Sequence, residues 1–196
     1  MRMKLQDIAT LIAGYTFRGA IIPDKNGGCL VFQAKDLVRD EFVTNATALT
    51  PIALDSGGSN SYLQTNDVLV AARGMKAGAF RSTVYKSDAA NVIASSSVHI
   101  IRLTCTNVLP EYVSHYLNSK HGQTALLEGV TGSYIGMLPR KTLGQIEIPI
   151  PEIKKQKMVV DLYQNIQMQK KILDRRNELN QQIFDEIFTK LTTHHD

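Results

Sequence analysis

Leu143-Gly144-Gln145-Ile146-Glu147-Ile148-Pro149-Ile150-Pro151 is the stretch on which the reading of this fold turns. Ile146, Ile148 and Ile150 alternate with Gln145, Glu147 and Pro149, the period of a strand with one buried face. Pro149 and Pro151 cannot donate to a ladder, so the strand stops there or lies at an edge. From 152 to about 191 the chain has no Pro and no Gly and is rich in good helix formers. A helix of roughly 40 residues is on the order of 60 Å long at 1.5 Å per residue, far beyond the globular average. A rod of that length cannot bury its apolar stripe against a small domain alone, so it needs a partner.

Upstream of this junction the pattern is one of short elements. Apolar positions in Leu5-Gln6-Asp7-Ile8-Ala9-Thr10-Leu11-Ile12-Ala13 fit one or two helical turns, with Gly14 as a left-handed C-cap. Strands are expected at Cys29-Leu30-Val31-Phe32-Gln33, Val68-Leu69-Val70-Ala71-Ala72, Val84-Tyr85, Asn91-Val92-Ile93-Ala94 and Val98-His99-Ile100-Ile101-Arg102-Leu103, with Phe42-Val43 extended. Helices are expected over 110–120, opened by Pro110 in its first turn, and over 122–127, with a helical turn near Pro139-Arg140-Lys141. Such a mixture predicts an α+β domain over 1–150, followed by the long helix over 151–196.

Charge is distributed unevenly. The chain carries +4 in all; residues 1–150 hold 14 basic and 11 acidic side chains, and residues 151–196 hold 8 and 7. The excess on the globular part is mild support for a polyanionic partner. No run approaches the ~18 apolar residues of a membrane span, and the charged start Met1-Arg2-Met3-Lys4 has no apolar stretch behind it, so no secretory signal is read there. Cys29 and Cys105 lack metal or redox spacing, and two reduced thiols in a cytoplasmic protein are expected.

Catalytic constellations are missing. Asp24 and the Glu152-Ile153-Lys154 fragment, which together mimic a nuclease site, lie in unrelated contexts. No Asn-Pro-Pro-aromatic tetrapeptide is present, and Gly74 and Gly78 lack phosphate-loop spacing. His99 falls in a strand pattern, His115 and His121 read as helix-surface residues, and none has a Cys or acidic neighbour at ligand spacing. The chain is expected to be non-catalytic, with no metal.

Several segments in order resemble the specificity (S) subunit of Type I restriction–modification systems. They are Leu5-Gln6-Asp7-Ile8-Ala9 with Gly14-Tyr15-Thr16-Phe17-Arg18-Gly19, then Asn66-Asp67-Val68-Leu69-Val70-Ala71-Ala72-Arg73-Gly74. Thr131-Gly132-Ser133-Tyr134-Ile135, the 143–151 stretch and Gln156 follow. The resemblance implies a target-recognition domain that reads DNA and a helix that holds DNA methyltransferase (modification) subunits. Family members usually carry two of each; this sequence has one, so it resembles a half-size subunit that restores the pair as a homodimer. On the same reading S-adenosylmethionine and ATP belong to partner subunits, a restriction subunit among them, and none is bound by this chain. An interaction module that occupies and modulates methyltransferase subunits without reading DNA is the alternative.

DNA recognition needs phosphate contacts for register and base-edge contacts for sequence. Arg73, Lys76 and Arg81 share one span with Gly74 and Gly78, where backbone can approach a phosphate. The bland alternative is a solvated hairpin tip. Lys35 and Gln33 at a strand end, Arg18 in the aromatic loop, and Ser133, Tyr134 and Arg140 complete the DNA-facing candidates. Tyr15 and Phe17 read as loop anchors. On the helix, Val159, Leu162, Ile166, Leu173, Leu179, Ile183 and Ile187 form a seam interrupted at Asp174-Arg175-Arg176-Asn177-Glu178. The seam suits an antiparallel coiled coil for dimer and partner contacts; alternatively the helix breaks at 174–178 and its tail folds back.

Overall fold

The computed structural model describes residues 1–38, 41–54, 60–74, 78–131 and 136–193. It is α+β. In chain order the elements are β1 (Arg2–Lys4), α1 (Leu5–Ile8), β2 (Ala9–Ala13), β3 (Cys29–Phe32), a 3-10 turn at Ala34–Asp36, β4 (Thr50–Ile52), β5 (Val68–Ala71) and β6 (Ser82–Val84). They continue as β7 (Val92–Ala94), β8 (Val98–Leu103), α2 (Pro110–Asn118), α3 (Lys120–Glu128), α4 (Arg140–Gln145), β9 (Glu147–Pro149) and α5 (Ile153–Thr193). Chain contacts divide it into two compact units, Met1–Lys157 and Met158–Asp196.

Within the first unit, β2, β8, β5 and β6 form a four-stranded antiparallel sheet, and β4, β3 and β7 a three-stranded one in which β3 and β7 run parallel. Strand alternation sends Phe32, Val92 and Ala94 into one core with Leu69 and Ile100 of the other sheet and with Tyr85, which follows β6. Cys29, Val31 and Ile93 face the opposite way and pack with Ile52, Tyr15, Phe17 and Tyr62. The principal core therefore lies between the two sheets. Both cysteines are free, and burial raises the Cys29 pKa.

The 143–151 stretch is an edge structure. Among the described residues β9 pairs only with β1, Arg2 opposite Pro149 and Met3 opposite Ile148, so Pro149 interrupts no ladder there. Ile148 is fully buried. Two tyrosines of α2 hold the ribbon: Tyr112 donates to the Pro149 carbonyl (2.7 Å) and Tyr116 to that of Glu147 (3.1 Å). Gln145 belongs to α4 rather than to the strand.

Three expectations need correction. The 5–13 segment is a single helical turn and then β2, because paired with β8 its residues complete a four-stranded sheet. Gly14 is no left-handed cap: a Cβ there would lie 1.9 Å from the Ser95 carbonyl oxygen, so close backbone approach requires the glycine. His115 is buried on α2 beside Phe42, not on the helix surface. β4 was not foreseen, since Pro51 argues against a strand; it is the edge of its sheet, where proline is tolerated.

The helix α5 runs unbroken for 41 residues through 174–178. The reading in which it breaks there is thereby overturned. Val160 is buried, whereas Val159, Leu162, Ile166 and the apolar residues from Ile172 to Leu191 are exposed, between 42% for Leu179 and 72% for Leu191.

Candidate nucleic-acid interface

The serine turn at 95–97, between β7 and β8, is where the candidate loops meet. Ser96 N–H donates to the Tyr15 carbonyl and Tyr15 N–H to that of Ala94, anchoring the loop that leads to Arg18. Ser95 N–H donates to Phe32, and the Ser97 hydroxyl accepts the Ala34 N–H at 3.0 Å, fixing the turn that carries Lys35. The Ser97 carbonyl accepts from Ala72 N–H, immediately before Arg73. One turn thus fastens the roots of three cation-bearing loops.

A fourth segment joins through glycines. Gly74 N–H donates to the Gly136 carbonyl and Leu138 N–H to that of Ala72, so 136–138 runs alongside 72–74 with Arg73 opposite Met137. A Cβ on Gly136 would sit 2.1 Å from the Gly74 oxygen. His99 on β8 fixes the same segment: its Nε2–H donates to the Leu138 carbonyl at 2.7 Å. Since that carbonyl can only accept, the ring is the Nε2–H tautomer, with Nδ1 buried and unpartnered. Burial lowers the His99 pKa, opposed by the hydrogen bond to Leu138 and aided by the nearby charge of Arg140.

Two helix amides set the shape of the basic loop. The side chain of Gln123, 3% exposed, accepts from Gly78 N–H (2.8 Å) and donates to the carbonyls of Phe80 (2.8 Å) and Leu117 (2.7 Å). Gly78 has φ +85°, a left-handed conformation that favours glycine. Asn118 pairs with both backbone groups of Ser82, at 2.9 and 2.8 Å. Arg81, half-buried, donates from Nη2 to the Ala34 carbonyl (3.3 Å), tying this loop to the Lys35 turn.

Arg73, Lys35, Arg18 and Arg140 are exposed. Gln33 is half-buried, and its N–H is capped by the Asp36 carboxylate at 2.8 Å, which makes it part of the turn's frame. Tyr15 and Phe17 form an edge-to-face pair packed on the core. Arg140 opens α4 and, with Lys141, flanks a groove lined by Gln6 and Leu11. Lys76, Ser133 and Tyr134 lie outside the described residues. Sequence reasoning missed Ser97, Asn118 and Gln123, whose only signal was polarity at the ends of apolar runs. It also missed a groove of about 430 Å³ lined by Lys35, Phe42, Thr44 and Asn45, with Asp36 and Glu41 on its rim. Those carboxylates disfavour phosphate there and leave it better suited to neutral groups.

Among the described residues no cluster of His, Cys, Asp or Glu could hold a metal, and no helix is long and apolar enough to cross a membrane. Residues 1–187 match the family described as Type I restriction modification DNA specificity domain. The chain belongs to that family. Its members supply DNA specificity and are not themselves catalysts.

Solved structures share the fold. A chain from work on complex assembly and conformational transition of the type I R-M system superposes with TM-score 0.69 at 17% identity, over 95% of this chain and 43% of that one. The HsdS subunit from Thermoanaerobacter tengcongensis gives 0.62 at 19%, over 90% and 39%. The Type-I restriction-modification system S subunit from M. genitalium gives 0.59 at 15%, over 97% and 45%. This DNA specificity domain thus spans less than half the length of the solved chains it matches. No curated protein matches it by sequence.

Proposed function

We propose that this chain reads a DNA sequence through the loops rooted at the 95–97 turn, as the recognition subunit of a Type I complex. Residues 1–150 act as the target-recognition domain, and residues 151–196 as the helix that pairs with a second copy and binds a methyltransferase subunit. The reading rests above all on Arg18, Lys35 and Arg73 standing on loops fastened to one turn, with Arg81 tied to the Lys35 turn through the Ala34 carbonyl. Loops on a fixed frame hold cations at phosphate register while neighbouring polar groups meet base edges. The chain directs a separate adenine methyltransferase, and a restriction subunit where one is present, to a bipartite site. S-adenosylmethionine and ATP chemistry stays with those partners.

Binding of short duplexes by the chain with its methyltransferase subunit, measured against salt, tests this. Arg73→Ala should weaken binding across sequences and lower the slope of log K against log salt by about 1. If Arg73→Ala, Arg81→Ala and Lys35→Ala together leave affinity and slope unchanged while the subunit still binds, the chain is an interaction module that does not read DNA.

A further inference from the structure

Counted in sevens from Val159, the first seam row of α5 is Val159, Ile166, Leu173, Asn180 and Ile187. The second row is Leu162, Gln169, Arg176, Ile183 and Lys190. The described apolar members of both rows are exposed, between 44% for Val159 and 63% for Leu162. The polar members are not scattered. They are placed so that an antiparallel second copy matches the helix in one register.

Resting on the homodimer reading above, we propose that the second copy pairs with α5 about a two-fold axis between Asp174 and Arg175, with Asn180 of each helix facing Gln169 of the other. In that register Leu162 faces Ile187 and Ile166 faces Ile183, two apolar layers on each side of the axis, while Val159 faces Lys190 at each end of the seam. The amide layers sit symmetrically on either side of the axis, each amide able to donate and accept. The flanking positions agree: Tyr163 comes opposite Phe184, and Ile172 opposite Leu179, across the seam. Arg176 lies next to Leu173 of the second copy, with a side chain long enough to carry its charge to water.

Other registers fail on the same residues. A slide of one heptad one way buries Asn180 against Leu162. A slide the other way sets Ile187 against Gln169. A parallel pair would place Arg176 against Arg176 and Lys190 against Lys190, like charges directly opposed. An unmatched buried amide loses its hydrogen-bond partners, twice over in a symmetric dimer, so the register is selected by what the mismatches lose. The polar interval at 174–178, which at first looks like a weak point of the seam, lies at its centre of symmetry.

Thiol cross-linking of the full chain tests the register, in a Cys29→Ala, Cys105→Ala background checked for folding by thermal unfolding. Gln169→Cys with Asn180→Cys should give a covalent dimer in high yield, and Ile166→Cys alone should not. Cross-linking instead by Val159→Cys with Ile183→Cys, or by Ile166→Cys with Lys190→Cys, would move the axis and overturn the register while leaving the dimer. Cross-linking by Ile166→Cys alone would mean a parallel pair and overturn it too. A monomer by ultracentrifugation at tens of micromolar would instead remove the homodimer itself. As a second readout, Asn180→Lys should weaken the dimer at least tenfold, and added Gln169→Glu should restore it; no restoration contradicts the facing pair.

Discussion

Asp67 is 1% exposed and receives two bonds from Arg102, Nε to Oδ1 at 2.8 Å and Nη2 to Oδ2 at 2.7 Å, plus the Gln64 N–H at 2.8 Å. The same Nη2 reaches the Tyr62 carbonyl at 2.9 Å, so the pair joins a sheet strand to the loop before β5. Asp67→Ala should cost about 2–3 kcal/mol in urea unfolding, at the low end for a buried pair because Arg102 is partly solvated. His99 makes stability pH-dependent. Its pKa is lowered in the folded state, so the unfolded chain binds the proton more readily. The stability that neutral His99 contributes is full above about 6.5 and falls as pH drops below it. Thermal unfolding should show Tm declining from pH 7.5 to 5.5, and His99→Gln should flatten that decline. At this scale the sequence was only partly legible. The exposed cations stood out by charge and glycine neighbours, whereas Ser97, Asn118 and Gln123 act through backbone partners far away in the chain, which no local pattern encodes.

Gln156 anchors the first turn of α5 within the first unit. It is fully buried one turn into α5; its amide donates to the carbonyls of Asn107 (2.9 Å) and Pro151 (2.8 Å), and its Oε1 accepts the Leu109 N–H (2.9 Å). Gln156→Leu keeps the size but strands three backbone groups, and should lower stability by about 2–3 kcal/mol without shortening α5, read by urea unfolding and far-UV circular dichroism. Gln123→Leu should act on function instead, loosening the 78–82 loop root and weakening DNA binding while the salt slope, set by the cations, holds. Elements with their own periodicity were readable: β8, α2 and the unbroken α5 follow from alternation, from Pro110 and from a breaker-free run. Residues 5–13 misled because apolar spacing over nine residues serves a helical turn and a strand alike, and only pairing with β8 settles which. β4 was hidden by Pro51, acceptable because among the described residues no strand pairs beyond it.

For the whole molecule, the proposed dimer has a consequence that a single recognition unit lacks. Two copies related by a two-fold axis present identical reading loops in opposite directions, so the recognised DNA must be an inverted repeat of one half-site. In the proposed register the two Lys157 positions lie about 50 Å apart along the rod at 1.5 Å per residue, and a single fixed gap between half-sites is the expected outcome. The family could be read from the ordered motifs, whereas the symmetry expected of the target rests on the proposed pairing of the seam with a second copy. Selection of bound duplexes from a random-sequence pool, by the chain assembled with its methyltransferase subunit, tests this most directly. The account predicts two inverted copies of a short half-site at one fixed spacing, lost in Arg73→Ala/Arg81→Ala. Recovery of no enriched sequence, or of a single half-site without its inverted copy, would contradict it.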